Sequence, residues 1–168
     1  MKNGILKYFP EKLANLIESE VEDKFNQLEE IRLRAKRPII LKMLEIEKVI
    51  KYDVSTEEIL SCLQYICENS IYSYQNQIAS GFVTVRGGHR VGISGSCVVE
   101  NGKVININYI YSLNFRIAKE VIGSSNKVLK EIINIDNNSI YNTLIVSSPG
   151  SGKTTILRDL IRQISSRN

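Results

Sequence analysis

The residues best suited to chemistry lie late in the sequence, where Ser147-Ser148-Pro149-Gly150-Ser151-Gly152-Lys153-Thr154-Thr155 follows the apolar triplet Leu144-Ile145-Val146. In a phosphate-binding loop of the pattern G-x-x-x-x-G-K-[ST], backbone N–H groups cradle phosphates, the lysine reaches the β and γ oxygens, and the hydroxyl binds Mg2+. Gly152-Lys153-Thr154 match the end of that pattern, whereas Ser147 stands at its first glycine. The flanking order also fits. A buried strand is expected over 144–146, then a loop of small residues, then a helix with Ile156, Leu157, Leu160, Ile161 and Ile164 on its apolar side. The positive end of that helix would face the phosphates. This reading assigns nucleotide contacts to Pro149, Gly150, Ser151, Gly152, Lys153, Thr154 and Thr155, with ATP as the nucleotide and Thr154 as a Mg2+ ligand. The competing explanation is a small-residue turn that happens to contain Gly-Lys-Thr.

Hydrolysis asks for more than a loop. Enzymes of this type hold Mg2+ with the loop hydroxyl and an aspartate on another strand, and position the attacking water with a further polar group. Only 14 residues follow Thr154 (168 − 154), and the one acid among them, Asp159, sits on the loop's own helix, where it is expected to point along the helix rather than to a metal. No catalytic residue can be assigned, and this chain is expected to bind ATP without hydrolysing it. A lone strand and a single helix are also marginal by themselves, so 142–168 should need something to dock against.

The elements that must position the loop come earlier. Pro10 suits a first helical turn, and Leu13, Leu16, Ile17 and Val21 recur at helical spacing behind it. Strands are predicted at 31–34, 39–41 and 45–51. Ser55 with Glu58 three residues on forms a capping box before Ile59, Leu60, Leu63, Ile66 and Cys67, and the helix could resume through Ile71 to Ile78. From Gly81 the pattern returns to strands: 82–86, a Gly87-Gly88 turn, 89–93, 97–100, an Asn101-Gly102 hairpin turn, 103–107, and a further strand over 109–118 carrying Arg116. The fold expected is an α+β N-terminal domain over 1–120, built as an antiparallel sheet with helices. A connector over 121–141 with a short helix around Val128, Leu129, Ile132 and Ile133 follows, and 142–168 supplies the first strand, loop and helix of an α/β core.

With 43% hydrophobic and 24% charged residues, the composition is that of a globular chain. No apolar run approaches the roughly 20 residues of a membrane-spanning helix, and the N-terminus lacks a signal-peptide core, so a cytosolic location is expected. Cys62, Cys67 and Cys97 form no CxxC pair and His89 is the only histidine, which argues against a disulfide framework or a zinc site; all three cysteines read as reduced packing residues. Residues 1–80 hold 13 acidic and 11 basic groups and residues 81–168 hold 5 and 11, giving halves of −2 and +6. A basic second half suits a polyanion, whether nucleotide phosphate, nucleic acid or an anionic membrane surface, and equally suits a solvated face with no ligand.

Four segments together carry a family resemblance: Glu29-Glu30-Ile31-Arg32-Leu33-Arg34-x-x-Arg37-Pro38, Gly81-Phe82-Val83-Thr84-x-x-Gly87-Gly88-His89-Arg90-Val91-Gly92-Ile93-x-Gly95, Ser112-Leu113-Asn114-Phe115-Arg116-Ile117-Ala118, and the loop. From about residue 5 to 166 the chain resembles the stage III sporulation protein AA family of endospore-forming Firmicutes, which is similar to the ATPases of type II and type IV secretion. The resemblance implies a secretion-ATPase-like N-terminal domain followed by a RecA-like core, and an energising ATPase at the cytoplasmic, mother-cell face of the forespore membrane. It further implies membrane proteins of a sporulation channel as partners and a hexameric ring at full length. Against that family the chain reads as truncated at its C-terminus, without the second metal-binding strand. In similar ATPases arginines of the N-terminal domain reach the nucleotide, which makes Arg86, Arg90 and Arg116 candidate phosphate contacts. Their alternative is the ordinary fate of strand arginines, pointing into solvent with their stems over apolar surface. His89, with no acid near it in sequence, reads as structural.

Two other functions stay open at this point. The chain could be an interaction module that docks on a membrane complex and keeps a vestigial loop. Tyr109, Tyr111 and Phe115 in the basic half could instead stack bases of single-stranded nucleic acid, although alternating core aromatics explain them more simply.

Overall fold

A computed structural model of the chain describes residues 4–119, 121–134, 137, 139–148 and 151–166. Contacts divide it into two compact units, Met1–Ala118 and Lys119–Asn168.

The first unit is a six-stranded antiparallel sheet made of β1 (Leu28–Arg34), β2 (Pro38–Met43), β3 (Glu47–Asp53), β4 (Phe82–Val85), β5 (His89–Glu100) and β6 (Lys103–Arg116), in the order β3-β2-β1-β6-β5-β4. Two three-stranded meanders are thus joined along β1 and β6. At the join Ile31 lies opposite Phe115 and Leu33 opposite Leu113, four fully buried side chains whose burial requires this register. Alternation along the strands, as far as a bulge in β5 and β6, sends one set of side chains into the core and the other to the opposite face. Helices α1 (Glu11–Val21), α2 (Thr56–Ile66) and α3 (Gln75–Ala79) add to that core through Leu13, Ile17, Val21, Ile59, Leu63, Ile66 and Ile78. Phe9 stacks on Phe115 with ring centroids 4.4 Å apart.

Local rules set the boundaries. The Ser55 side chain accepts from the Glu58 N–H at 3.1 Å while the Glu58 carboxylate accepts from the Ser55 N–H at 2.8 Å, so both halves of the capping box form. Beyond α2 the chain breaks at Glu68 and Asn69, both at positive φ, before a 3-10 turn over Ile71–Tyr74 leads into α3. Asn101 and Gly102, at φ of 50° and 74°, make the hairpin turn.

The strands predicted separately at 89–93 and 97–100 are one strand, as are those at 103–107 and 109–118. Their ladder runs Ser94↔Ser112 and then Ser96↔Asn108, so Gly95 faces three residues, Tyr109 to Tyr111, and Tyr109 takes a φ of 48°. The alternation breaks at this bulge, which is why each continuous strand reads as two. Beyond it β1 no longer flanks β6, and Cys97 is exposed, so the expectation that all three cysteines pack inside holds only for Cys62 and Cys67. Of the three aromatics, Phe115 is core, whereas Tyr109 is 86% exposed and Tyr111 also faces solvent.

In the second unit α4 (Asn126–Ile132) is followed by the two-residue strands β7 (Ile133–Asn134) and β8 (Ser139–Ile140), and later by α5 (Lys153–Ser165). Leu129 and Ile132 pack with Leu160, flanked by Ile145, Ile156 and Ile164. The strand expected over 144–146 does not form: residues 141–148 carry no strand, and Leu144 and Val146 are 87% and 80% exposed. A strand needs a neighbour for its N–H and C=O groups, and no strand of the described residues lies beside this one.

Candidate functional site

The loop is positioned by α5, whose amphipathic pattern turns Ile156, Leu160 and Ile164 toward α4 and leaves Leu157 and Ile161 exposed. Gly152 precedes the helix at φ 82° and ψ 15°, a left-handed conformation that side-chain-bearing residues resist, and no side chain caps the helix start. The first N–H groups of α5 therefore remain available to an acceptor.

Lys153, the first residue of α5, folds back over the loop. Its ammonium donates to the carbonyls of Ser147 at 2.7 Å and Ser148 at 2.8 Å, with the Ser147 hydroxyl at 3.3 Å. Ser151 reinforces the turn: its hydroxyl donates to the Ser148 carbonyl at 2.9 Å and lies 3.0 Å from the Ser148 hydroxyl. Serine at 147 thus serves through its carbonyl and hydroxyl, and the lysine contacts do not depend on a glycine there. Thr154 and Thr155 follow within the first turn of α5. Pro149 and Gly150 lie outside the described residues.

Asp159 is only 1% exposed and carries no loop function. Its carboxylate accepts from the Ser125 N–H (2.9 Å) and hydroxyl (2.7 Å), from Arg162 (2.7 Å) and from Gln163 (3.0 Å). The Ser125 N–H holds this carboxyl far below the usual carboxylate range; burial works in the opposite direction, and Arg162, the Ser125 hydroxyl and Gln163 add to the lowering. Among the described residues no group of three or more His, Cys, Asp or Glu side chains could hold a metal ion.

The three candidate arginines belong to the first unit, and two of them lie together. Arg86 follows β4, is 78% exposed at its side chain and pairs with Glu68 at 3.5 Å. Arg90 and Arg116 are direct cross-strand partners on the face of the sheet opposite the helices. Arg116 reaches toward Glu30 (3.9 Å), and the Arg90 guanidinium sits 5.3 Å from the centroid of the Phe82 ring. Like charges directly opposite one another are unfavourable, and here the Glu30 carboxylate beside Arg116 and the Phe82 ring beside Arg90 offset that. His89 is structural: its Nδ1 accepts from the Ala118 N–H at 2.9 Å and fastens the chain just past β6.

Glu30, met in the sequence only as part of the segment from Glu29 to Pro38, organises this face. Its carboxylate accepts from Asn114 and from Arg32 Nε at 2.8 Å. Burial alone would push its carboxyl up, but the hydrogen bonds from Asn114 and Arg32 and the charges of Arg32 and Arg116 outweigh that and hold it below the usual range. The only trace in sequence is the Glu-x-Arg alternation of β1, which puts both groups on one face.

Comparison with known proteins agrees with this architecture. The family described as sporulation stage III, protein AA matches residues 1–168. Stage III sporulation protein AA of Bacillus subtilis (strain 168) is 36% identical over 160 residues, 95% of this chain and 51% of the relative, so the chain spans about half the length of the curated relative it matches. Among solved structures, the ATPase DotB of Legionella pneumophila aligns over 90% of this chain and 41% of its own, with a TM-score of 0.51 and 17% identity. The pilus retraction motor PilT with bound ADP aligns over 90% and 43%, with a TM-score of 0.46 and 19% identity. The likeness to DotB is one of fold, an antiparallel sheet with helices resembling the N-domain region of such ATPases.

Proposed function

The chain belongs to the sporulation stage III protein AA family, and from that premise we propose that it is the N-terminal portion of a secretion-type ATPase that binds Mg-ATP through the loop ending in Lys153 and Thr154. The observation that carries this reading is the Lys153 ammonium held over the loop by the Ser147 and Ser148 carbonyls, beside a left-handed Gly152 and an uncapped helix start. A lysine so placed meets a phosphate oxygen by exchanging carbonyl partners, without moving the helix. The donor set fits a nucleotide: one ammonium, free N–H groups at the start of α5 and the hydroxyls of Thr154 and Thr155. For Mg2+ it offers Thr154 alone, since Asp159 is committed to Ser125 and Arg162, so the ion would be held by the threonine, the phosphates and water. Mg2+ when bound would neutralise phosphate charge.

Of the arginines proposed as phosphate contacts, Arg90 and Arg116 are neighbours on one face of the sheet, and Arg86, already paired with Glu68, contributes least. The complete protein would assemble as a homo-oligomeric ring, a hexamer, at the mother-cell face of the forespore membrane and energise a channel built by membrane proteins. No helix among the described residues is long and apolar enough to cross a membrane.

The test is calorimetric titration of the chain with Mg-ATP, beside Lys153→Ala. Saturable binding that Lys153→Ala weakens at least tenfold, with no phosphate released, is the expected result. If both proteins bind alike, or neither binds, the loop is vestigial and the chain is an interaction module.

A further inference from the structure

The face of the sheet opposite the helices carries a depression of about 550 Å³ where β1, β2, β5 and β6 meet, lined by Arg32, Arg34, Arg37, Ser94, Ser112 and Asn114. It lies wholly within the first unit. Its three guanidiniums are not equivalent. Arg32 is spoken for: Nε and Nη2 lie 2.8 and 2.7 Å from Glu30 Oε2, and Nη1 lies 3.1 Å from Glu47 Oε2. Arg34 and Arg37 are exposed, and among the described residues their guanidiniums have no acidic or hydrogen-bonding partner. They flank the turn at Ala35 and Lys36, and that turn is fixed: the Arg37 N–H donates to the Arg34 carbonyl at 3.1 Å and the Lys36 N–H to the Val54 carbonyl at 2.8 Å. Two cations thus flank the rim of one concavity without an acidic partner among the described residues.

The floor is polar and ordered. The Ser112 hydroxyl donates to the Leu33 carbonyl at 2.9 Å, and Ser94, its cross-strand partner, brings a second hydroxyl beside it. The Asn114 amide donates to Glu30, while its oxygen is buried without a partner, a state usually relieved by an ordered ligand or water. Planar guanidinium forks select tetrahedral phosphate and carboxylate oxygens, and hydroxyl donors complete a phosphate shell.

We propose that this depression is a second anion site, separate from the Lys153 loop, that binds a phosphate ester through Arg34 and Arg37 with Ser94 as hydroxyl donor. Arg32 acts through Glu30 to keep the floor in place and does not touch the ligand. The same chemistry is offered by a soluble phosphate ester and by a phospholipid headgroup.

The experiment follows backbone amide resonances of the full 168-residue chain. It is titrated with glycerol 3-phosphate at constant ionic strength against sodium chloride, and then with vesicles of phosphatidylglycerol or of phosphatidylcholine alone. Saturable shifts at Arg34, Ser94 and Ser112 are expected, with affinity lowered about tenfold by Arg34→Ala and by Arg37→Ala. Lys42→Ala, outside the depression, should leave affinity unchanged. A response to glycerol 3-phosphate identifies a soluble ester; binding to phosphatidylglycerol vesicles only, lost in the arginine variants, identifies a headgroup. Equal shifts with chloride, or variants that remain folded by circular dichroism and bind like the parent, would each overturn the assignment.

Discussion

The Ser125 hydroxyl donates to Asp159 Oδ2 at 2.7 Å and the Ser125 backbone N–H donates to the same oxygen at 2.9 Å, so one residue at the start of α4 seals a carboxylate in the middle of α5. Arg162 and Gln163 complete the shell, and the helix that carries Lys153 is thereby fixed against α4. A buried carboxylate is tolerated only when so fully satisfied.

This arrangement predicts acid sensitivity. The folded-state pKa of Asp159 is lowered, so its contribution is complete above the unfolded carboxylate value of about 4 and is lost as pH falls below that. The hydrogen-exchange protection of α4 and α5, taken relative to the intrinsic rate at each pH, should fall as pH drops below about 4. Asp159→Asn should already exchange faster at pH 6 and show a flatter dependence on acid. Identical acid profiles for the two proteins would count against the seal.

Gly95 answers to a different constraint. A Cβ there would lie 2.5 Å from the Asn108 carbonyl oxygen and 2.7 Å from Ile107 Cγ2, so the β5–β6 bulge must open to admit one. Gly95→Ala should cost about 1–3 kcal/mol in urea unfolding. Gly102→Ala, where φ is 74° but nothing lies within 4 Å, should cost about 1 kcal/mol from backbone strain alone. The expected ranking reverses if the bulge is pliable.

The capping box, the Asn101-Gly102 turn and the core faces of α1 and α2 were legible because each is a local rule with its own residue types. The β1–β6 pairing was not, since it joins residues some 80 apart in sequence (Ser112 Oγ to the Leu33 carbonyl, |i−j| of 79) and no local pattern names a partner. The bulge at Gly95 was missed because a break in alternation looks the same whether a strand ends or kinks. At the candidate site the lysine, its threonine and the helix behind them were visible as a motif. The exposure of Leu144 and Val146 was not, because an apolar triplet records the wish for a partner strand and not its presence. Glu30 stood in the sequence only as part of a segment and Asp159 only as an acid expected to point along α5; their acceptor roles were hidden because a carboxylate's role is set by donors from distant segments, Asn114 in one case and Ser125 in the other.

Ser55 offers a calibrated test of the local rules. Its side chain and that of Glu58 satisfy one another's N–H groups, and Glu58 also accepts from the Tyr52 hydroxyl at 2.7 Å, linking the end of β3 to α2. Ser55→Ala should lower stability by about 1 kcal/mol. Ser55→Asp, which keeps a capping oxygen, should recover most of it; an aspartate variant no better than alanine would mean the cap contributes little.

The three thiols should separate by reactivity. Burial, aided by the nearby charge of Glu58, pushes the Cys62 thiol up to about 12, and burial also raises Cys67, whereas Cys97 is exposed on β5 beyond the bulge. The thiolate is the reactive form, so a disulfide reagent at pH 8 should modify one thiol quickly in the native chain, with the other two following only on unfolding. Cys97→Ser should remove the fast phase, and a fast phase that survives would place the accessible thiol elsewhere. The same shift gives an alkaline limit. Because Cys62 titrates higher folded than unfolded, its contribution is whole below the unfolded thiol value of about 8.5 and declines as pH rises from there toward 12. Unfolding midpoints measured across that range should fall more steeply for the parent chain than for Cys62→Ala, whose core position has no proton to lose.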